Sequence, residues 1–193
     1  LDGLVEVVDR YRVDSVYLTH VDYFTPTGPE FDRRISDDET VIEVTEPMTI
    51  DLGEGVVLQI IYPTMSFVGE RIEDLNESSI VALLTYGETS VLLTGDETAK
   101  MEPELMAAID GEVDVLKVGH HGSAYSSTME FLQDIDPEVA VISCAADNDY
   151  GHPASATLDR LMFIGAQVFR TDLDSDIRLT SDGGEPVVVS KPL

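Results

Sequence analysis

The stretch Val113-Asp-Val-Leu-Lys-Val-Gly-His-His-Gly-Ser123 constrains this chain more than any other: an apolar strand stops at a glycine and then presents two histidines. Half of the chain's four histidines sit there. Gly119 and Gly122 flank them, so the backbone can bend sharply and leave the imidazoles of His120 and His121 at a strand end with room for a ligand. A lone histidine more often hydrogen-bonds within a turn than holds a metal. The rest of the chain has to decide between the two.

Upstream, residues 4–11 carry apolar side chains on one face of a short helix, and 15–19 and 41–44 read as strands on either side of a Pro- and Gly-rich loop at 23–29. Residues 52–62 read as a hairpin turn and strand closed by Pro63, and 64–79 as a polar loop. Residues 80–86 and 90–94 then form an antiparallel buried pair. After Gly95-Asp96 the pattern changes. A helix marked by Met101, Leu105, Met106 and Ile109 leads to strand 113–118. A capping box of Ser127 and Glu130 opens the next helix, followed by strand 139–143, a helix around 155–164, strand 167–170 and a final strand pair near 177–180 and 187–190. This predicts an α/β fold with hairpins first and βαβ crossovers after. Crossover-linked parallel strands share a polarity, so the loops that follow them lie on one sheet edge, where α/β sites form. Asp96, His120, His121 and His152 each follow a strand and are expected to gather there.

The length of 193 residues, 43% hydrophobic, suits one domain with a real core. No run approaches the ~20 apolar residues of a membrane span. Cys144 is the single cysteine, which excludes an internal disulfide, and its apolar surroundings make it a buried small hydrophobe. Thirty-eight acidic residues stand against 11 basic ones, a net charge of −27. Such a surface repels itself unless salt shortens the Debye length to ~3 Å near 1 M, so it reads as salt adaptation. The same balance argues against a strong basic surface for binding nucleic acid through its phosphates. A phosphodiester substrate would need its charge met by metal ions.

Two or three nitrogen and oxygen donors from separate strand ends, with a carboxylate able to bridge, form the donor set of a zinc or manganese hydrolase. Two plainer readings compete. Asp96 would cap the following helix, and His152 would fix a turn before Pro153.

Several motifs carry a resemblance: Leu52-Gly-Glu-Gly55, Asn76-Glu-Ser-Ser-Ile-Val81, Leu93-Thr-Gly-Asp96, Val115-Leu-Lys-Val-Gly-His-His-Gly-Ser123, Tyr150-Gly-His-Pro153 and Arg170-Thr-Asp-Leu-Asp174. Together they resemble the metallo-β-lactamase-fold hydrolases, specifically the ComEC-like branch at the C-terminus of the DNA-uptake competence channel and in stand-alone relatives. The resemblance implies an αββα sandwich with two divalent metal ions, zinc or manganese, between its sheets. It implies a metal-dependent hydrolase acting on phosphodiesters or DNA, a place at the cell envelope and a fusion to a membrane channel upstream. By it, Asp96 matches the aspartate that bridges the metals and His120 the late histidine ligand, with His121 as the alternative. His152 matches the Gly-His-Pro histidine, placed for substrate or leaving-group contact. Asn76 and Ser79 occupy the stretch where many other members place another histidine ligand, and Ser123 supports the histidine loop.

One departure from the family pattern matters more than the matches. The principal metal motif, His-x-His-x-Asp-His, is absent, and in ComEC-like proteins a segment like Leu1-Asp-Gly-Leu4 follows it directly. Residues 1–193 are therefore read as one such domain lacking its N-terminal strands and that motif. Asp96 and one or two histidines fall short of the three protein ligands of catalytic zinc. The expectation is that these residues alone bind metal weakly and are inactive. Two alternatives are a non-catalytic scaffold whose metal site has decayed and a hydrolase of another ester or a lactam. Leu18-Thr-His-Val-Asp22 echoes the start of the missing motif, but Tyr23, Phe24 and Thr25 stand where its other ligands belong. Asp172-Leu-Asp-Ser-Asp176 is spaced like a calcium loop, but Ile177 replaces the required glycine and Gly183 the glutamate, so it reads as a solvated turn. Tyr125-Ser-Ser127 lacks the Gly-x-Ser-x-Gly context of a nucleophile, and helix capping explains it.

Overall fold

A computed structural model describes residues 2–19, 21, 28–35, 40–70 and 72–191. The chain opens with α1 (Asp2–Arg10), β1 (Ser15–Leu18), α2 (Gly28–Ile35) and β2 (Thr40–Glu43). β1 and β2 pair in parallel as a small sheet, and α1 packs on α2. Next comes a meander of β3 (Met48–Gly53), β4 (Val56–Tyr62), β5 (Val81–Tyr86) and β6 (Thr89–Leu93), every neighbour antiparallel. The crossovers follow: α3 (Glu102–Ala108), β7 (Val115–Lys117), α4 (Met129–Ile135), β8 (Val139–Ile142), α5 (Ser155–Ile164) and β9 (Gln167–Arg170). β6 to β9 are parallel, and β3 to β9 form one seven-stranded sheet in chain order. A short helical turn, α6 (Thr171–Asp174), leads to the hairpin β10 (Asp176–Thr180) and β11 (Val187–Lys191).

The period-two alternation of the strands sends apolar side chains to both faces of this sheet. On one face Val81, Leu92, Leu116, Ala140 and Ile142 meet Leu105 of α3, Phe131, Leu132 and Ile135 of α4, and Leu161 of α5. On the other, Ala82 and Ile60 pack with Val44, Tyr17 and Met48, which brings in the small β1–β2 sheet. Helices, large sheet and small sheet thus lie in layers. The consequence for function is polarity: β6, β7 and β8 all end on one edge, where Asp96, the two histidines and the loop to His152 emerge.

Several expectations need correction. α2 begins at Gly28, inside the segment expected to be loop. Of that segment 23–27 lie outside the described residues, as do His20 and Asp22 of the motif echo. Residues 64–79 are not all loop, because Asp74 caps a 3₁₀ turn over Leu75–Ser78 by accepting from the Asn76 amide. The cap of α4 is Thr128, whose hydroxyl accepts from the Phe131 amide at 3.3 Å. Ser127, one residue earlier, has φ 51°, outside the extended region an N-cap needs, and its hydroxyl donates to Glu97 instead. Asp172 is no solvated turn residue. Its side chain is 8% exposed, pairs with Arg170 at 2.6 Å and accepts from the Cys144 thiol at 3.2 Å. That contact, with burial the larger cause, raises the Cys144 thiol above its ordinary range.

Candidate metal centre

The strand tips are tied together before any functional side chain is placed. The Thr94 hydroxyl at the end of β6 donates to the Lys117 carbonyl at the end of β7, and the His120 amide donates to the Gly95 carbonyl. Asp96 sits in the turn between, and its own amide donates to Ser79 Oγ at 3.2 Å. α3 begins only at Glu102, so the helix-cap reading of Asp96 fails. Ser79 therefore touches the aspartate turn directly, whereas Asn76 enters through its backbone, its carbonyl accepting from the Ser79 amide.

His120 (φ 45°, ψ 46°) and His121 (φ 56°, ψ 24°) both adopt the left-handed conformation, which costs a non-glycine residue roughly 1–2 kcal/mol each. The sharp bend is thus made by the histidines themselves. Of the glycines beside them, Gly119 serves close approach, since a Cβ there would lie 2.0 Å from Glu97 Oε1, whereas Gly122 continues the bend with φ 81° and also sits where a Cβ would lie 2.7 Å from Pro153 Cβ. Below the loop, the Ser123 amide donates to the His120 carbonyl, and the Ser123 carbonyl accepts from the buried Thr157 hydroxyl at 2.7 Å. Ser126 Oγ donates to the Gly119 carbonyl at 3.0 Å. This hydrogen bonding holds the strained pair in place.

The two histidines face different neighbours. His121 Nε2 lies 3.4 Å from Asp96 Oδ1, and His121 Nδ1 lies 2.6 Å from the Ser143 carbonyl. A carbonyl only accepts, so Nδ1 carries the proton and, in the neutral ring, Nε2 presents a lone pair to the carboxylate. Both side chains are also open to solvent, and a proton or a metal ion would join them; a carbonyl that fixes the tautomer through the other ring nitrogen is the usual support for a ligating histidine. His120 turns the other way, its ring 5.6 Å from that of His152 and 6.4 Å from that of His121. His152 is held by Asn148, which accepts from its amide at 2.9 Å and donates to its carbonyl at 2.6 Å. Burial, then the neighbouring His120 and His121, lower its pKa, and its Nδ1 is buried with no hydrogen-bond partner. Among the described residues no group of three His, Cys, Asp or Glu side chains converges on one point. The donor chemistry therefore fits part of a metal's coordination sphere, two ligands of it.

Three contributors were not legible beforehand. Glu97 is fully buried behind the histidine loop, where burial and then the Glu102 carboxylate push its carboxyl up to about 8. Lys117 is pulled below its ordinary range by burial, against the pull of Asp96 and Glu97. Tyr150 lies stacked on His152, ring centroids 5.9 Å apart and 16° from parallel, at the mouth of a cleft of about 290 Å³ that Ser143, Cys144 and Asn148 help to line. Only the Tyr-Gly-His-Pro spacing could have hinted at that last contact.

Residues 3–146 match the metallo-beta-lactamase superfamily. ComE operon protein 3 of Bacillus subtilis is 40% identical over 104 residues, 53% of this chain and 13% of that protein. Recombination protein 2 of Haemophilus influenzae is 38% identical over 104 residues, covering 54% of this chain and 13% of the relative. Competence protein ComA of Neisseria gonorrhoeae is 35% identical over 127 residues, 65% of this chain and 18% of the relative. The chain thus spans less than a fifth of the length of each curated relative. With the layered α/β fold and the ordered motifs, the match decides the family: this chain belongs to the metallo-β-lactamase superfamily, in the ComEC-like branch.

Proposed function

We propose that this domain carries part of the metal centre of a metal-dependent phosphodiesterase that acts on DNA at the cell envelope. The observation that carries the reading is His121 Nε2 facing the Asp96 carboxylate at 3.4 Å while Nδ1 meets the Ser143 carbonyl, at the edge where three parallel strands end. Asp96 and His121 would hold a divalent ion, zinc or manganese, with His120 beside them for a second. The remaining ligands come from outside the described residues. When bound, such an ion supplies Lewis-acid polarisation of a phosphoryl oxygen. The chain's own residues do the rest. Ser143 fixes the His121 tautomer, Ser79 aims the Asp96 turn, and His152, whose pKa burial lowers, is available to accept or pass a proton at the leaving group. Similarity to a competence protein and a recombination protein agrees with a role in handling DNA. No helix among the described residues is long and apolar enough to cross a membrane.

The test is cation binding followed by cleavage. Asp96→Ala and His121→Ala each weaken manganese or zinc uptake by more than the roughly tenfold that loss of a ligand's supporting partner costs, and Asp96→Ala abolishes hydrolysis of a chromogenic phosphodiester by the complete gene product. Unchanged uptake in both variants refutes the reading. A second reading, a scaffold with a decayed site, draws on the count of two converging donors among the described residues. It prevails if the complete gene product takes up no divalent cation.

A further inference from the structure

A cleft of about 320 Å³ opens beside His120 and is lined by neither Asp96 nor His121. Asp74, Glu77, Thr98, Lys100 and Tyr125 complete its walls. Its volume falls at the small end of the range for ligand clefts, about 300–1,000 Å³. The walls are braced. The Ala99 amide donates to the Tyr125 carbonyl at 2.9 Å, and the Tyr125 amide donates to Ser123 Oγ at 3.3 Å, which ties the turn before α3 to the histidine loop. Asp74 caps the 3₁₀ turn that carries Glu77, and Glu77 in turn pairs with Lys100.

Thr98 is the member that lacks something. It is only 8% exposed, and its Oγ1 is buried with no hydrogen-bond partner. Buried hydroxyls are normally paired, because an unmet one has given up its bonds to water for nothing. A valine would fill the same space without that loss. The hydroxyl therefore awaits a partner that the chain itself does not provide.

The lining decides the chemistry of that partner by exclusion. An anion would meet two carboxylates against one ammonium, in a chain whose net charge is −27. A cation would have to displace Lys100, which already holds Glu77. An apolar group would leave Thr98 unmet. A hydroxyl group both donates and accepts, so it can satisfy the acceptor-only carboxylates, the donor-only ammonium and the Thr98 hydroxyl alike. Several hydroxyls on one carbon ring would use them together, and the exposed ring of Tyr125 supplies an apolar face for the ring carbons.

We infer that this cleft is a binding site for a neutral sugar ring, with Thr98 as its buried polar anchor. The assignment goes beyond the phosphodiesterase reading and requires no metal.

Saturation-transfer difference NMR on the complete gene product, in a chelating buffer, tests it with D-glucose, D-ribose and myo-inositol as probes. At least one of the three is expected to bind saturably, and the order of their affinities separates a hexose, a pentose and a cyclic polyol. Putrescine and inorganic phosphate, as cationic and anionic competitors, leave that signal unchanged. Thr98→Val weakens binding about 2- to 12-fold, the loss of one neutral hydrogen bond. Thr98→Ser keeps the affinity, and Tyr125→Ala lowers it. The melting temperature of Thr98→Val without sugar is equal to or above wild type, because the hydroxyl has no partner there to lose. A lowered one shows a structural hydroxyl and overturns the inference. So do the absence of saturable binding by all three probes, equal affinity in Thr98→Val, and displacement of the sugar by putrescine or phosphate. Sugar binding that depends on Thr98, with no cleavage of a phosphodiester in any metal, leaves this site standing and removes the phosphodiesterase reading alone.

Discussion

Replacing Gly119 by alanine probes the support beneath the histidine loop. The new methyl group would sit 2.0 Å from Glu97 Oε1 and 2.5 Å from its carboxyl carbon, where ordinary contact starts near 3.4 Å. The carboxyl has to retreat by about 1.4 Å, and it has nowhere to go: Glu97 is fully buried, with Oε1 taking the Ser127 hydroxyl. Gly119 does not have a left-handed φ, so alanine meets no backbone strain and the clash is the whole effect. Overpacking of this kind costs about 1–3 kcal/mol. In a domain of this size each kcal/mol lowers the melting temperature by about 2–4 °C. Removing the clashing side chain should remove the penalty, so Gly119→Ala costs little in a Glu97→Ala background, and the double-mutant cycle shows a coupling of about 1–3 kcal/mol. Urea denaturation at fixed salt measures all four proteins, urea being chosen because an ionic denaturant would also screen the acidic surface. Additive single costs, or a Gly119→Ala protein as stable as wild type, would refute the account of why a glycine stands before the histidines.

Two further outcomes follow from the charges. The Glu97 carboxyl rises from 4.5 to about 8 on folding, so the native state holds its proton more tightly than the unfolded chain. Its stabilising contribution is complete below about pH 4.5 and is lost as pH rises towards 8. Urea midpoints of the metal-free protein should therefore fall across that window, and Glu97→Gln should flatten the fall; an equally steep fall in the variant excludes Glu97 as its source. With a net charge of −27, thermal stability is expected to rise as sodium chloride is raised towards 1 M, where the Debye length is ~3 Å. A melting temperature indifferent to salt would show that the acidic surface is not an adaptation to it.

Much of the fold was readable because it depends on local periodicity. The alternation of β5, where Val81 and Leu83 face the helices and Ala82 faces the small sheet, is written in three consecutive residues. The helix at 155–164 and the strand at 167–170 follow from spacing and from Gly165 at the helix end. The errors arose where one residue of register decides the role. Ser127 and Thr128 are equally good caps on paper, and only the folded chain gives Ser127 the φ of 51° that disqualifies it and turns its hydroxyl to Glu97, thirty residues away in sequence. Asp172 looked solvated because Cys144, 28 residues away, meets it only after β8 and β9 pair.

The same distinction applies at the centre itself. That Asp96, the histidine pair and His152 share one edge was determined by sequence alone, because parallel crossovers give successive strands one polarity and each of these residues follows a strand. Which histidine meets Asp96 was not. His120 and His121 have the same chemistry and adjacent positions, and only the left-handed turn, the Ser143 carbonyl and the Gly95 carbonyl direct one imidazole to the carboxylate and the other to His152. Order along a chain fixes the end of the sheet a residue occupies; the direction its side chain takes is set by contacts with distant segments, and those exist only in the folded protein.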